Sequence, residues 1–484
     1  MKIIILGASG YIGLRLAKKL RAQGHELHLF NRNKLKLQWL ENKNVCTYDI
    51  PIDEDNRDDL SPIFKDADVV YHLIHSMSEE VSGSFHEKDI QIANFVSNIS
   101  EQSNVKQIVY LGGLGNANEN LSTHLESRQA TGFTLSKGKT PVLELRAGVI
   151  IGAGSSSFEI VRTLATKLPF IPVVWEKEGL VEPIFVDNVL NYLCSVLDNL
   201  GRNEILEIGC GETITYAKLV QKFAKENLNR NIKILKLPFL EKIISPKLIG
   251  LVISFMTGQH RTLIIPLIYG VKNDAVVENR DINCKKVVNL ELSLKLASHR
   301  ERKGAVISSW DFPSNISHLA KSNKTFFTTK EKDGLLFEEN WSNVENPEAV
   351  FNEIKKIGGS YGYWSPMLLW KARGIIDRMF GGPGLSSCYK YNGDIHVGSR
   401  IDFWTVEYFK ETSNHRELRL RAEMKTPGEA WLQFTIDKNK QFYLRAFFEP
   451  RGILGYVYWY SLYIIHKFIF KQMVSKIILN SKVL

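Results

Sequence analysis

Near its start the chain runs four apolar residues, Ile3 to Leu6, directly into Gly7, Gly10 and Gly13, and then into a helical repeat of Ile12, Leu16 and Leu20. This order constrains the fold more than any other feature. In a strand–loop–helix unit the first glycine permits a tight turn. The second lets bare backbone approach a pyrophosphate, and the third lets the helix pack close to the sheet. The helix N-terminus then offers N–H groups and a positive dipole end to the phosphates. Gly7, Ser9, Gly10, Tyr11, Ile12 and Gly13 are thus candidate dinucleotide-binding residues. The alternative is a purely structural glycine turn.

The next 200 residues keep the rhythm. Glu26–Phe30, Asp68–Ile74, Gln107–Leu111 and Val142–Arg146 read as strands, most of them separated by stretches long enough for a helix. Such alternation predicts α/β architecture, a doubly wound parallel sheet of Rossmann type. Leu206–Gly211 reads as a further strand, with Thr215 capping the helix that follows. Ile243–Ile268 is rich in Ile and Leu, but Pro246, Gly250, Gly258 and Pro266 interrupt it and Gln259, His260 and Arg261 split it. Residues 236–300 are expected to form a small substrate lobe, closing a domain of residues 1–300. The polar, basic stretch 301–332 is expected to be a linker.

Residues 333–484 change pattern. Asn346-Pro347-Glu348 starts one helix and Ser365-Pro366 a second, ending at Gly381-Gly382. Alternation then takes over: Leu418, Leu420, Ala422 and Met424 point one way, and Glu417, Arg419, Arg421 and Glu423 the other. Ala430–Ile436 and Phe442–Phe448 repeat it. The reading is antiparallel strands, apolar on one side and polar on the other, before a helix starting near Ile453.

The G-x-x-G-x-x-G spacing with its Tyr11-Ile12-Gly13 ending resembles the extended short-chain dehydrogenase/reductase family. In that family the residue after the second strand sorts the cofactors. Here it is Asn31-Arg32-Asn33-Lys34, with no carboxylate, and Arg32 can fork onto a 2′-phosphate, so the resemblance implies NADP(H) over NAD(H). By the same likeness Asp49 accepts from the adenine amino group, with Ile50 beside it; a turn residue is the other reading of Asp49.

The family's Ser and Tyr-x-x-x-Lys set is missing. Gly112 or Gly113 stands where Ser is expected, and the nearest pair with the right spacing is His124 and Arg128. Residues four apart share one helix face, so the two stand as candidate catalytic residues, or as residues that only anchor the cofactor or cap a helix. His72 and His75 look like a metal pair, but residues three apart on a strand face opposite sides, so no metal is expected. The backbone there, Leu73 included, is expected to line the cofactor cleft.

Tyr71-His72-Leu73-Ile74-His75-Ser76-Met77, Glu144–Gly152 and Glu182–Val189 are similar to an atypical, NmrA-like branch of that family, described as NAD(P)H-binding. Gly358–Trp364, Arg378–Leu385 and Glu449–Tyr460 resemble an uncharacterised domain often fused to it. The element order of this second domain looks like the α+β helix-grip (START-like) fold, which implies a hydrophobic small molecule or lipid as ligand. The resemblance therefore implies an NADP-dependent oxidoreductase acting on a hydrophobic compound. A catalytically silent sensor, carrier or membrane-complex assembly factor is the alternative.

Charge and composition narrow the partners. With 62 Lys and Arg against 52 acids the chain carries +10, but the basic residues are dispersed and no nucleic-acid motif appears. Five scattered cysteines without a C-x-x-C pair fit a reducing compartment. Four apolar residues are too few for an export signal, so a cytoplasmic location is expected. The terminal run Ile453–Phe470 is apolar and aromatic and is followed by Lys471, Lys476 and Lys482. It reads as a helix gripped by its own sheet, with peripheral membrane contact or a span left open.

Overall fold

A computed structural model describes residues 1–32, 37–74, 84–115, 123–257, 264–265, 268–278, 287–302, 336–359, 361–379, 384 and 395–482. They fall into two compact units, 1–302 and 336–482. Of the expected linker 301–332, residues 301 and 302 end the helix Leu290–Arg302, and the rest lies within 303–335, outside the described residues, as do Gly381 and Gly382.

In the first unit β1 (Lys2–Leu6), β2 (Glu26–Phe30), β3 (Val45–Tyr48), β4 (Val69–His72), β5 (Gln107–Gly113), β6 (Val142–Ala147) and β7 (Glu204–Ile208) form one sheet. Every pairing is parallel, and the order is β7-β6-β5-β4-β1-β2-β3. The unbroken apolar run of β1 follows from burial on both faces. Ile3 and Ile5 pack with Leu16 and Leu20 of α1 (Tyr11–Ala22), whereas Ile4 and Leu6 pack on the other face. There they meet α2 (Arg57–Phe64) through Leu60 and Phe64, and α3 (Ser84–Gln102) through Val96 and Ile99. α4 (Thr123–Leu135) closes that face with Leu135.

The chain leaves β1 through β2 and β3 and then returns to β4 on the other side of β1. The crevice at the carboxyl ends of β1 and β4 is therefore the topological switch point, where open α/β sheets take their ligands.

Another core lies beyond the sheet. Helices Ser156–Lys167, Tyr216–Leu228 and Leu290–Arg302 build it around Phe158, Phe223 and Leu294. Thr215 caps the second of these, accepting from the Lys218 amide at 3.3 Å. The interrupted apolar stretch forms a helix at Pro246–Thr257. Among the described residues no helix is long and apolar enough to cross a membrane.

The second unit is an antiparallel six-stranded sheet with helices. Its strands are β8 (Leu336–Asn343), β9 (Arg400–Ile401), β10 (Trp404–Glu411), β11 (Arg416–Ala422), β12 (Gly428–Ile436) and β13 (Gln441–Pro450), in the order β8-β13-β12-β11-β10-β9. One face buries Leu418, Leu420, Leu432, Phe434, Phe442 and Leu444 against the helices. Phe351 and Ile354 come from α5 (Pro347–Ile354), capped by Asn346 as its sequence implies. Met473 and Ile477 come from the 30-residue α7 (Gly452–Ser481), and α6 (Met367–Met379) lies between these two in the chain.

The sequence predicts that the opposite sheet face is polar; it is mixed, because Trp431, Phe447, Phe337, Tyr443 and Trp341 share it with Gln433, Arg445 and Glu339, and Trp431, Gln433 and Thr435 there are buried. Long side chains roof them. Arg445 pairs with Glu339 at 2.6 Å, Arg419 pairs with Glu407 at 2.9 Å, and Arg445 lies over the Tyr443 ring. Aliphatic stems of arginine exclude water as well as any apolar side chain.

Candidate functional site

The glycine loop sits at the switch point. Gly7 turns with φ +83°, and a Cβ there would lie 2.7 Å from the Leu73 carbonyl oxygen; the Leu73 amide in turn donates to Leu6 O at 3.0 Å. Gly7 is thus pressed between the ends of β1 and β4. A Cβ on Gly13 would collide with the Gly7 carbonyl oxygen and stand 2.9 Å from Ala8 Cα, so this glycine seats α1 on the loop.

Gly10 differs from both. It is exposed, has φ −68°, and a Cβ there would meet only the Gly7 carbonyl oxygen, at 3.2 Å. The volume over Gly10 is open, and α1 begins immediately after it with no acidic residue in its first turn. An anion placed there meets helix-terminal N–H groups and no carboxylate.

Neighbouring residues brace this loop. The Gly7 and Ala8 amides both donate to Phe30 O, at 3.2 and 3.0 Å, and Ser9 Oγ donates to Asn31 Oδ1 at 2.7 Å. The Ser9–Asn31 bond ties the loop to the end of β2, a link the sequence reading did not find. Arg32, the next residue, is exposed. Asn33 and Lys34 lie outside the described residues.

Asp49 is exposed just past β3, and Ile50 is half-buried against the core that holds Phe30 and Val70. Ile12 is half-buried against both neighbouring cores. Tyr11 turns away from the loop: its ring lies under Arg15, and its hydroxyl and an Arg15 Nη both donate to Ala153 O, at 3.3 and 2.9 Å. Burial raises the Tyr11 hydroxyl pKa and the Arg15 charge only partly offsets it, so this phenol stays protonated.

At the end of β5 two glycines stand against side chains of β6 and α4. A Cβ on Gly112 would lie 2.6 Å from Glu144 Oε1, and one on Gly113 would lie 3.0 Å from Leu125 and 3.4 Å from Arg128 Nε. Side chains from β6 and α4 already occupy both volumes. Glu144 is buried, sits equally close to Gly132 of α4, and pairs with Arg146 Nε at 2.8 Å. Glu144 and Arg146 are two apart on β6 and so share one face, a signal visible in the sequence that its reading did not use.

Arg128 hydrogen-bonds the Leu111 carbonyl oxygen with its Nη2, and its own carbonyl accepts from Tyr110 OH at 3.1 Å. It thereby clamps α4 to the end of β5. His124 lies in the first turn of α4, its side chain outside the described residues. His72 is buried at the end of β4, its ring 5.8 Å from that of Tyr110. His75 lies outside the described residues, and among those described no cluster fit for a metal occurs.

Residues 7–136 match a family model described as NAD(P)H-binding. The first unit carries an NAD(P)H-binding domain. Residues 333–473 match a second model, described as a protein of unknown function, DUF2867. No curated protein matches the chain.

Among solved structures, a nucleoside-diphosphate-sugar epimerase from Staphylococcus aureus is 15% identical, with TM-score 0.46, over 61% of this chain and 100% of its own. The UDP-glucose 4-epimerase of Thermotoga maritima is 17% identical, with TM-score 0.44, over 63% and 99%. The Bordetella bronchiseptica enzyme WbmH, solved with NAD+, is 13% identical, with TM-score 0.45, over 62% and 98%. Likeness at this level says nothing of this chain's substrate.

Proposed function

We propose that this protein is an NADP(H)-dependent oxidoreductase of the atypical short-chain type, acting on a hydrophobic carbonyl or alkene. The observation that carries the reading is the open volume over Gly10, at the N-terminus of α1 and at the switch point of a parallel sheet. In this reading the amides after Gly10 hold the diphosphate, Leu73 lines the cleft, and Asp49 with Ile50 receives the adenine. Arg32 takes the 2′-phosphate, and no carboxylate at Asn31-Arg32 repels it. The cofactor, when bound, supplies hydride chemistry. His124 or a water beside it moves the proton, while Arg128 keeps α4 and the end of β5 in register next to the cofactor.

The hydrophobic substrate is supported by the apolar segment 239–252, where Phe239, Ile243, Leu248 and Val252 are exposed. In domain terms, residues 1–300 form the dinucleotide-binding domain with this lobe, 301–332 the linker, and 333–484 a START-like helix-grip domain for a hydrophobic ligand. Its sheet and long terminal helix support that last reading.

A second reading, a silent NADP(H) binder, is favoured by Gly112 and Gly113, which offer no hydroxyl where the side chains of Glu144, Leu125 and Arg128 stand. Oxidation of NADPH in the presence of a panel of apolar aldehydes, ketones and enones separates the two. The enzyme shows substrate-dependent oxidation, and His124→Ala lowers it about 10²-fold. Cofactor binding without turnover of any member of the panel rejects the enzyme and leaves the binder.

Arg32→Ala tests the cofactor choice separately. A lost charge-assisted phosphate contact is expected to weaken NADPH about 10- to 100-fold and to leave NADH unchanged. Equal weakening of both would place Arg32 elsewhere than on the 2′-phosphate.

A further inference from the structure

The terminal helix α7 has two apolar faces, and the sheet covers only one. Trp459, Phe470, Met473 and Ile477 are buried. At the opposite azimuth Ile453, Val457, Tyr460, Ile464 and Phe468 recur at steps of three and four and are exposed, Ile453 and Ile464 to 82%. At 1.5 Å per residue this stripe is about 22 Å long. Lys467 and Lys471 lie at its carboxyl end on the same azimuth, both exposed.

Helix α6 lies beside it, joined by Arg373 Nη2 donating to Tyr458 OH at 2.7 Å. It too exposes apolar side chains, Leu368, Ile375 and Ile376, with the exposed Lys371 among them.

Charge decides between occupants. Helix α7 contains no Asp or Glu, and the single carboxylate of α6, Asp377, is buried, accepting from the Gly384 and Lys425 amides at 2.7 Å each. The face therefore offers apolar and aromatic groups flanked by cations, with no exposed acid on either helix to pair with those cations in a second copy of the chain. An anionic lipid surface complements both parts: acyl chains receive the stripe, tyrosines sit at the headgroup level, and lysines meet phosphates. The stripe is shorter than the roughly 30 Å hydrocarbon core, so the geometry is that of a helix lying on a membrane rather than through it.

We propose that α7 and α6 dock the protein on anionic membranes through the Ile453–Phe468 stripe and Lys467 and Lys471. Flotation of the full chain with phosphatidylcholine vesicles, with and without added phosphatidylglycerol, tests this. The protein is expected to float with the anionic vesicles, less so as salt rises. Ile464→Asp, at an exposed position, lowers the partition about tenfold or more. The double variant Lys467→Glu/Lys471→Glu lowers it by about 25-fold or more on anionic vesicles only. Absence of flotation with either vesicle, or partitioning unchanged in Ile464→Asp, overturns the proposal. So does sedimentation velocity showing a dimer that Ile464→Asp dissociates, because the stripe would then be an interface between copies.

Discussion

The Gly10→Ala protein is expected to fold normally and to lose the dinucleotide. Its backbone at residue 10, with φ −68°, suits any residue, and the new methyl group meets only the Gly7 carbonyl oxygen at 3.2 Å, which has to yield by a few tenths of an ångström. The melting temperature should therefore shift by no more than about 2 °C. The same methyl group occupies the space in which the diphosphate must meet bare backbone, and affinity should fall about 100-fold in a calorimetric titration.

Gly13→Ala is the contrasting control. Its Cβ collides with the Gly7 carbonyl oxygen, so it should unseat α1 and destabilise the unit by about 2 kcal/mol or more along with losing the cofactor. If Gly10→Ala binds as the parent does, the open volume is not the phosphate site.

The second large effect is expected in the second unit. Glu353 on α5 is fully buried and ties three parts of the second unit together. It accepts from Trp364 Nε1 at 2.9 Å, Asn480 Nδ2 at 2.9 Å and Lys356 Nζ at 2.7 Å, and also from Tyr361 OH. Burial by itself would raise its pKa, but these four donors outweigh burial and hold it at about 2.

The consequence has a sign. A carboxyl held below its ordinary 4.5 contributes stability that is present above that value and is lost as pH falls toward about 2, up to about 3 kcal/mol. Glu353→Gln should lower the stability of the second unit by about 3 kcal/mol at neutral pH, or roughly 10 °C in melting temperature. It should also flatten the acid limb of the stability curve. A melting temperature within 2 °C of the parent, with the same acid limb, would mean that the four bonds contribute nothing net.

What could be read from the sequence, and what could not, divides along chain distance. The strand–loop–helix start was legible because a phosphate loop needs glycine at fixed spacing beside a fully buried strand, and all of this lies within about twenty residues. The antiparallel strands were legible through their alternation, which is also local. The roofed face of the second sheet was not, because it depends on Arg445 reaching Glu339 across 106 positions. Alternation separates the two faces of a sheet, and only partners remote in sequence decide whether the outer one is wet.

The candidate site divides in the same way. Gly112 and Gly113 stood out as an absence of serine. What stands against them, the Glu144 carboxylate and the Arg128 side chain, belongs to a neighbouring strand and a helix that the register alone brings together. The Ser9–Asn31 bond spans 22 residues and was missed because neither side chain belongs to the glycine spacing.

In the proposed function the amides following Gly10 hold the diphosphate of a nicotinamide dinucleotide. Isothermal titration of NADPH, and separately of NADH, into the full-length chain tests it most directly. Saturable one-to-one binding is expected, tighter for NADPH, and Gly10→Ala removes it. A flat trace for both nucleotides would contradict it.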